Sequence, residues 1–111
     1  MKQLIALAFI VLAGCGRDSG DIDSYIGNAC ARDSDCDERC YLNSGEFPGG
    51  FCSISCRSDS DCPSDTVCTD KEGGVCMFLC RAVDCRDLGP GWQCMDKDNV
   101  NGGKDNICIG D

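Results

Sequence analysis

The chain contains no histidine in its 111 residues. That absence removes the Ser-His-Asp and Cys-His arrangements of nucleophilic catalysis, together with every zinc site built on an imidazole ligand. Aromatic residues are scarce, with one Trp, two Tyr and four Phe. Positive charge is scarce too: 10 Lys and Arg face 19 Asp and Glu, a formal net charge of −9. Such a balance repels nucleic acid and anionic headgroups, so neither is an expected partner. No gap of two residues separates any cysteines after Cys15, which leaves out a Cys-x-x-Cys redox centre and paired zinc knuckles. Carboxylates such as Glu38, Glu46 and Glu72 are the acid or base groups that remain, and no pattern gathers them. The chain reads as non-enzymatic and free of cofactors.

What is present begins with Lys2 and an uncharged apolar run, Leu4 to Ala13, too short for the roughly 20 apolar residues of a membrane span. The run ends in Leu12-Ala13-Gly14-Cys15. This sequence resembles the lipobox of bacterial lipoproteins. The resemblance implies a signal peptide over residues 1–14 that is cleaved before Cys15. It further implies a diacylglyceryl group on the Cys15 thiol, acylation of the new amino terminus with a chain such as palmitate, and a membrane as partner through that anchor. Each buried methylene contributes about 0.8 kcal/mol, so two or three acyl chains hold a protein durably. Gly16 follows the anchor, where Asp would signal inner-membrane retention in enterobacterial lipoproteins; the implied location is the outer membrane of a bacterial envelope. The count of 13 cysteines supports the assignment, because setting Cys15 aside leaves an even 12.

Loss of the first 14 residues leaves 97, and loss of Lys2 takes the charge from −9 to −10. Leu, Ile, Val and Phe supply 15 of those 97, a fraction that with such a charge is typical of disorder. Cysteine overturns that expectation: 12 in 97 exceeds the roughly 8–10% that marks a disulfide scaffold, and export places the chain where bridges form. The remaining large aromatics are expected to wedge against disulfides. If one is displayed as a contact residue, Trp92 or Phe47 on a hairpin loop is the choice. Residues Gly16 to Asn28 carry no cysteine and read as a flexible spacer between anchor and repeats.

The cysteines repeat: Cys30-x5-Cys36-x3-Cys40-x11-Cys52, then Cys56-x5-Cys62-x5-Cys68-x7-Cys76, then Cys80-x4-Cys85-x8-Cys94-x13-Cys108. Three units of four cysteines follow, over 30–55, 56–79 and 80–111, after an anchor and spacer segment at 15–29. The openings Cys30-Ala-Arg-Asp-Ser-Asp-Cys36 and Cys56-Arg-Ser-Asp-Ser-Asp-Cys62 nearly coincide, and the third, Cys80-Arg-Ala-Val-Asp-Cys85, is one residue shorter. The second half of each unit reads as a hairpin. In the middle unit Thr66–Thr69 and Val75–Phe78 flank a turn; in the first, Cys40–Leu42 face Phe51–Ile54; in the third, Trp92–Met95 pair with Ile107–Ile109 across a long polar loop. The expected fold is small and disulfide-rich, three stacked units of loop plus short β-hairpin with little helix outside the signal peptide.

The third and fourth cysteines of a unit face one another across its ladder, at Cβ separations wider than the roughly 3.8 Å of a relaxed disulfide. The first two cysteines reach one strand each more easily. That favours Cys30–Cys40, Cys36–Cys52, Cys56–Cys68, Cys62–Cys76, Cys80–Cys94 and Cys85–Cys108.

The paired loop acids Asp33 and Asp35, and Asp59 and Asp61, are the calcium candidates. Against that role, such side chains in tight turns ordinarily accept backbone N–H groups. Asp96 to Gly102 is acidic, but an EF-hand loop needs an oxygen ligand, Gly and Glu where Val100, Asn101 and Ile107 stand. The pattern from Cys30 to Tyr41 resembles the Dickkopf N-terminal cysteine-rich type of repeat, similar units of which occur in surface lipoproteins of myxobacteria and their relatives. The resemblance implies architecture over about 80 residues and carries no Wnt antagonism with it. The expected function is a lipid-anchored, disulfide-stabilised interaction or structural module of the envelope with an unidentified envelope or extracellular protein partner. A small protease inhibitor and a calcium-dependent adhesion module are the alternatives.

Overall fold

The structure, a computed structural model, describes residues 22–111. The lipobox, Cys15 and the signal peptide lie outside the described residues. Three antiparallel hairpins follow one another: β1 (Arg39–Tyr41) with β2 (Phe51–Ser53), β3 (Thr66–Thr69) with β4 (Val75–Phe78), and β5 (Gln93–Asp98) with β6 (Lys104–Ile109). Three short 3₁₀ turns, Asp33–Asp35, Asp59–Asp61 and Cys85–Leu88, precede them, and there is no longer helix among the described residues. Six disulfides staple this small disulfide-rich fold.

Every hairpin is in register on its cysteines, with Cys40 opposite Cys52, Cys68 opposite Cys76 and Cys94 opposite Cys108. None of these facing pairs is bonded. The bridges run Cys30–Cys40, Cys36–Cys52, Cys56–Cys68, Cys62–Cys76, Cys80–Cys94 and Cys85–Cys108. Each joins the opening loop to one strand, so a unit carries two covalent ties between its loop and its hairpin.

The middle hairpin is buried at all eight strand positions, which explains its Thr, Val, Met and Phe content. It is covered on both sides because its neighbours continue its pairing. Ser55 bridges to Val75 from the first unit, and Leu79 bridges to Ile107 and Thr69 to Asn99 in the third. The first and third units also meet. Trp92 Nε1 donates to the Pro48 carbonyl at 2.9 Å, the Trp92 ring lies 5.0 Å from Phe51, and Gly110 N donates to Glu46 O at 2.9 Å. One core therefore serves all three units, running from Ile26 through Phe51, Met77 and Phe78 to Ile107 and Ile109.

Two expectations are corrected. The third hairpin is longer than its apolar residues suggest, with Asp96 opposite Asn106, Lys97 opposite Asp105 and Asp98 opposite Lys104. Those residues are poor strand formers, and cross-strand charge offsets this: Lys104 Nζ lies 2.7 Å from Asp98 Oδ1. The turn shrinks to Asn99–Gly103, closed by Asn99 N to Gly103 O at 2.9 Å. The reading of Gly16 to Asn28 as spacer also ends too late. Ile26 is buried, Gly27 N donates to Cys52 O at 2.8 Å, and Cys52 N donates to Asn28 O at 2.9 Å. Ile22 to Asn28 thus pairs with the outer edge of β2, and Ser24 Oγ reaches Asp37 Oδ1 at 2.7 Å.

Candidate interaction site

The loop acids act on the backbone. Asp35 Oδ2 accepts from Ala31 N at 2.8 Å and Arg32 N at 3.2 Å; Asp61 Oδ2 accepts from Arg57 N at 2.8 Å and Ser58 N at 3.3 Å. The other member of each pair reaches across to the first strand. Asp33 Oδ1 accepts from Cys40 N at 2.9 Å, and Asp59 Oδ1 accepts from Cys68 N at 2.8 Å. One acid thus tightens the turn and its neighbour caps a strand edge, identically in two units. In the shortened third loop Asp84 takes over, accepting from Arg86 N at 3.0 Å while its other oxygen pairs with the guanidinium at 2.8 Å.

The groups of His, Cys, Asp or Glu close enough to share an ion are, among the described residues, three trios of sulfurs: Cys30, Cys36 and Cys40; Cys56, Cys62 and Cys76; Cys80, Cys85 and Cys108. All nine are in disulfides and offer no thiolate. They mark where the two bridges of a unit stack. Of the three acids considered for acid or base chemistry, Glu46 is held by Lys71 at 3.0 Å.

Both aromatics chosen as display residues are inside: Phe47 is 2% exposed and Trp92 4%. The interlocking of units one and three buries them, with Phe47 stacked 6.1 Å from Phe51. The exposed large hydrophobic side chains among the described residues are instead Tyr25, at 36%, and Leu42, at 63%. Leu42 stands just past β1, on an open cleft of about 610 Å³ that Arg32, Asp33, Arg39, Tyr41 and Glu72 also line. Arg39 lies over the Tyr41 ring, 4.3 Å from its centroid, and fixes its charge at the cleft wall. The Tyr41 hydroxyl is buried without a hydrogen-bond partner. Burial pushes its pKa up, opposed by Arg39 and reinforced by Glu72. Among the described residues ion pairs engage Lys71, Arg86 and Lys104, and none engages Arg32 or Arg39.

Nothing singles out Leu42 in a reading by residue type. The signal lies in comparing units: aligned on their cysteines, Arg32 and Leu42 of the first replace Ser58 and Asp70 of the second.

Comparison with known protein families, with curated proteins and with solved structures finds no match to this chain.

Proposed function

We propose that the protein is a lipid-anchored, non-enzymatic interaction module of the bacterial envelope, held at the outer membrane through Cys15. The observation that carries this reading is the sequence Leu12-Ala13-Gly14-Cys15 standing shortly before a body whose other 12 cysteines all pair within themselves. Cys15 is the odd sulfur, and acylation is the chemistry that suits an odd sulfur at the end of an exported apolar run. Rigid stapled hairpins with an open cleft and an exposed Leu42 suit binding, since binding residues held on a stiff scaffold lose little freedom in the complex.

The test is expression of the full chain in a Gram-negative host with a clickable palmitate analogue. The expected result is label on the wild type, none on Cys15→Ser, and outer-membrane fractionation of the labelled species. An unmodified Cys15 thiol on the processed protein overturns the reading. Crosslinking in intact cells, followed by purification, identifies the partner.

A further inference from the structure

The two best-matched units differ in whether the outer edge of their first strand is covered. In the middle unit it is. Residues Asp98 to Val100 of the third unit run antiparallel along β3, with Val100 N donating to Cys68 O at 3.1 Å and Asp70 N donating to Asp98 O at 2.9 Å. Asn99 adds a side-chain contact, Nδ2 to Asp59 Oδ1 at 2.9 Å, on the same oxygen that caps Cys68 N. The equivalents in the first unit are the Cys40 carbonyl, the Leu42 N–H and Asp33 Oδ1. Asp33 caps Cys40 N just as Asp59 caps Cys68 N, so the edge has the same geometry. Yet the Cys40 carbonyl and the Leu42 N–H have no hydrogen-bond partner among the described residues, and these positions line the open cleft.

We propose that this edge of β1 is a strand-addition site for an extended, acidic, asparagine-containing segment of a partner protein. Backbone pairing with Cys40 and Leu42 supplies the register, as in other β-augmentation complexes. An amide side chain on Asp33 repeats what Asn99 does on Asp59. The cleft's own residues set the preference for acid. Arg32 and Arg39, in no ion pair among the described residues, flank the edge where the middle unit has Ser58 and Val67, and Leu42 adds an apolar lip in place of Asp70. Guanidinium groups pair bidentately with carboxylates. Glu72 and Asp33 also line the cleft, oppose the acid and limit affinity.

This inference rests on the interaction half of the proposed function and is independent of the anchor. The probe is a capped peptide reproducing residues 96–101 of this chain, Asp-Lys-Asp-Asn-Val-Asn, titrated into the ¹⁵N-labelled, oxidised full chain in neutral detergent. Saturable amide shifts are expected at Asp33 and Arg39 to Asn43. Replacing the peptide's valine by proline removes the N–H that meets the Cys40 carbonyl and is expected to abolish them. The Arg32→Gln, Arg39→Gln double variant is expected to weaken binding by about fivefold or more, and Glu72→Gln to strengthen it. Near-UV circular dichroism of each variant establishes that it is folded. No saturable shift up to about 5 mM peptide overturns the proposal. So does equal binding of the proline peptide, or shifts confined to Thr66 to Asp70, where the peptide would merely displace the third unit. Concentration-dependent shifts at β1 without peptide assign the edge to a second copy and also overturn it. Peptide binding without an acylated Cys15 leaves this inference standing while the anchor fails.

Discussion

Asp84 and Asp35 show how the acidic residues stabilise a chain whose net charge works against compaction. Asp84 is held down to about 2, first by the Arg86 side chain and then by the Arg86 backbone N–H. Asp35 is lowered chiefly by the Ala31 N–H, and Asp98 chiefly by Lys104. A carboxyl whose folded pKa is depressed contributes stability that is complete above its unfolded value near 4 and is lost as pH falls toward the folded value. Urea melts are therefore expected to coincide between about pH 7 and pH 5 and to move to lower midpoints between about pH 4 and pH 2. Added salt shrinks the shares of Arg86–Asp84 and Lys104–Asp98, which are solvent-exposed, more than that of Asp35, whose partners are backbone amides. Tyr41 sets an opposite limit. Its raised pKa means that the unfolded chain ionises first, so stability present below about pH 10 declines above it. Sulfurs differ as well. Cys94 is the one exposed cysteine among the described residues, bonded to a half-buried Cys80, whereas Cys56, Cys68, Cys85 and Cys108 are buried. Timed alkylation and peptide mapping in dilute reductant are expected to show Cys80–Cys94 opening first; earlier opening of Cys56–Cys68 would contradict access as the controlling factor.

Elements in this molecule depend on where glycine allows the chain to pass. Gly50 and Gly74 occupy matching places two residues before the fourth cysteine of their units, with φ of 86° and 117°. A Cβ at Gly50 would strike the Cys30 carbonyl oxygen, and one at Gly74 the Cys56 carbonyl oxygen, whereas at Gly73 it would meet open space. Gly74→Ala is expected to cost more than about 2 kcal/mol, through clash and left-handed strain together, and Gly73→Ala only about 1 kcal/mol through strain alone. Equal melting temperatures for the two variants would refute the steric part. The hairpins were legible because turn residues and β-branched or aromatic residues alternate at short range; both strands of the middle unit match the structure end to end. Legibility failed where support came from another unit. Asp96 to Asp98 is a strand because Lys104 and Asp105 answer it across the ladder, and because its far end lies along β3. Ile22 to Asn28 carries no cysteine, and its docking depends on β2 leaving an edge free. The open cleft was out of reach for the same reason: whether a strand edge is covered is decided by the packing of units, and no local pattern records it.

Across the whole molecule, disulfides cross-link within units, while noncovalent contacts hold the consecutive units together. Trp92 carries much of the second kind, being 4% exposed, packed on Phe51 and hydrogen-bonded to Pro48. Trp92→Ala is expected to cost about 3–5 kcal/mol and Trp92→Phe, which keeps a ring but strands the Pro48 carbonyl, about 1–2 kcal/mol. Because the core is continuous, the oxidised protein is expected to lose near-UV dichroism and amide protection in one transition. Separate transitions for the three units would show that the shared core contributes little. Reduction removes the bridges that offset so small an apolar content, and full reduction is expected to abolish the folded signal.

The bridges close chain segments of 10 to 23 residues, and each of the six lies within its own unit. Under tension, then, the oxidised chain has little length to release, because the load crosses the bridges of each unit and bypasses most of the chain they enclose. Stretching the oxidised chain end to end is therefore expected to part the contacts between units before any one unit lengthens much.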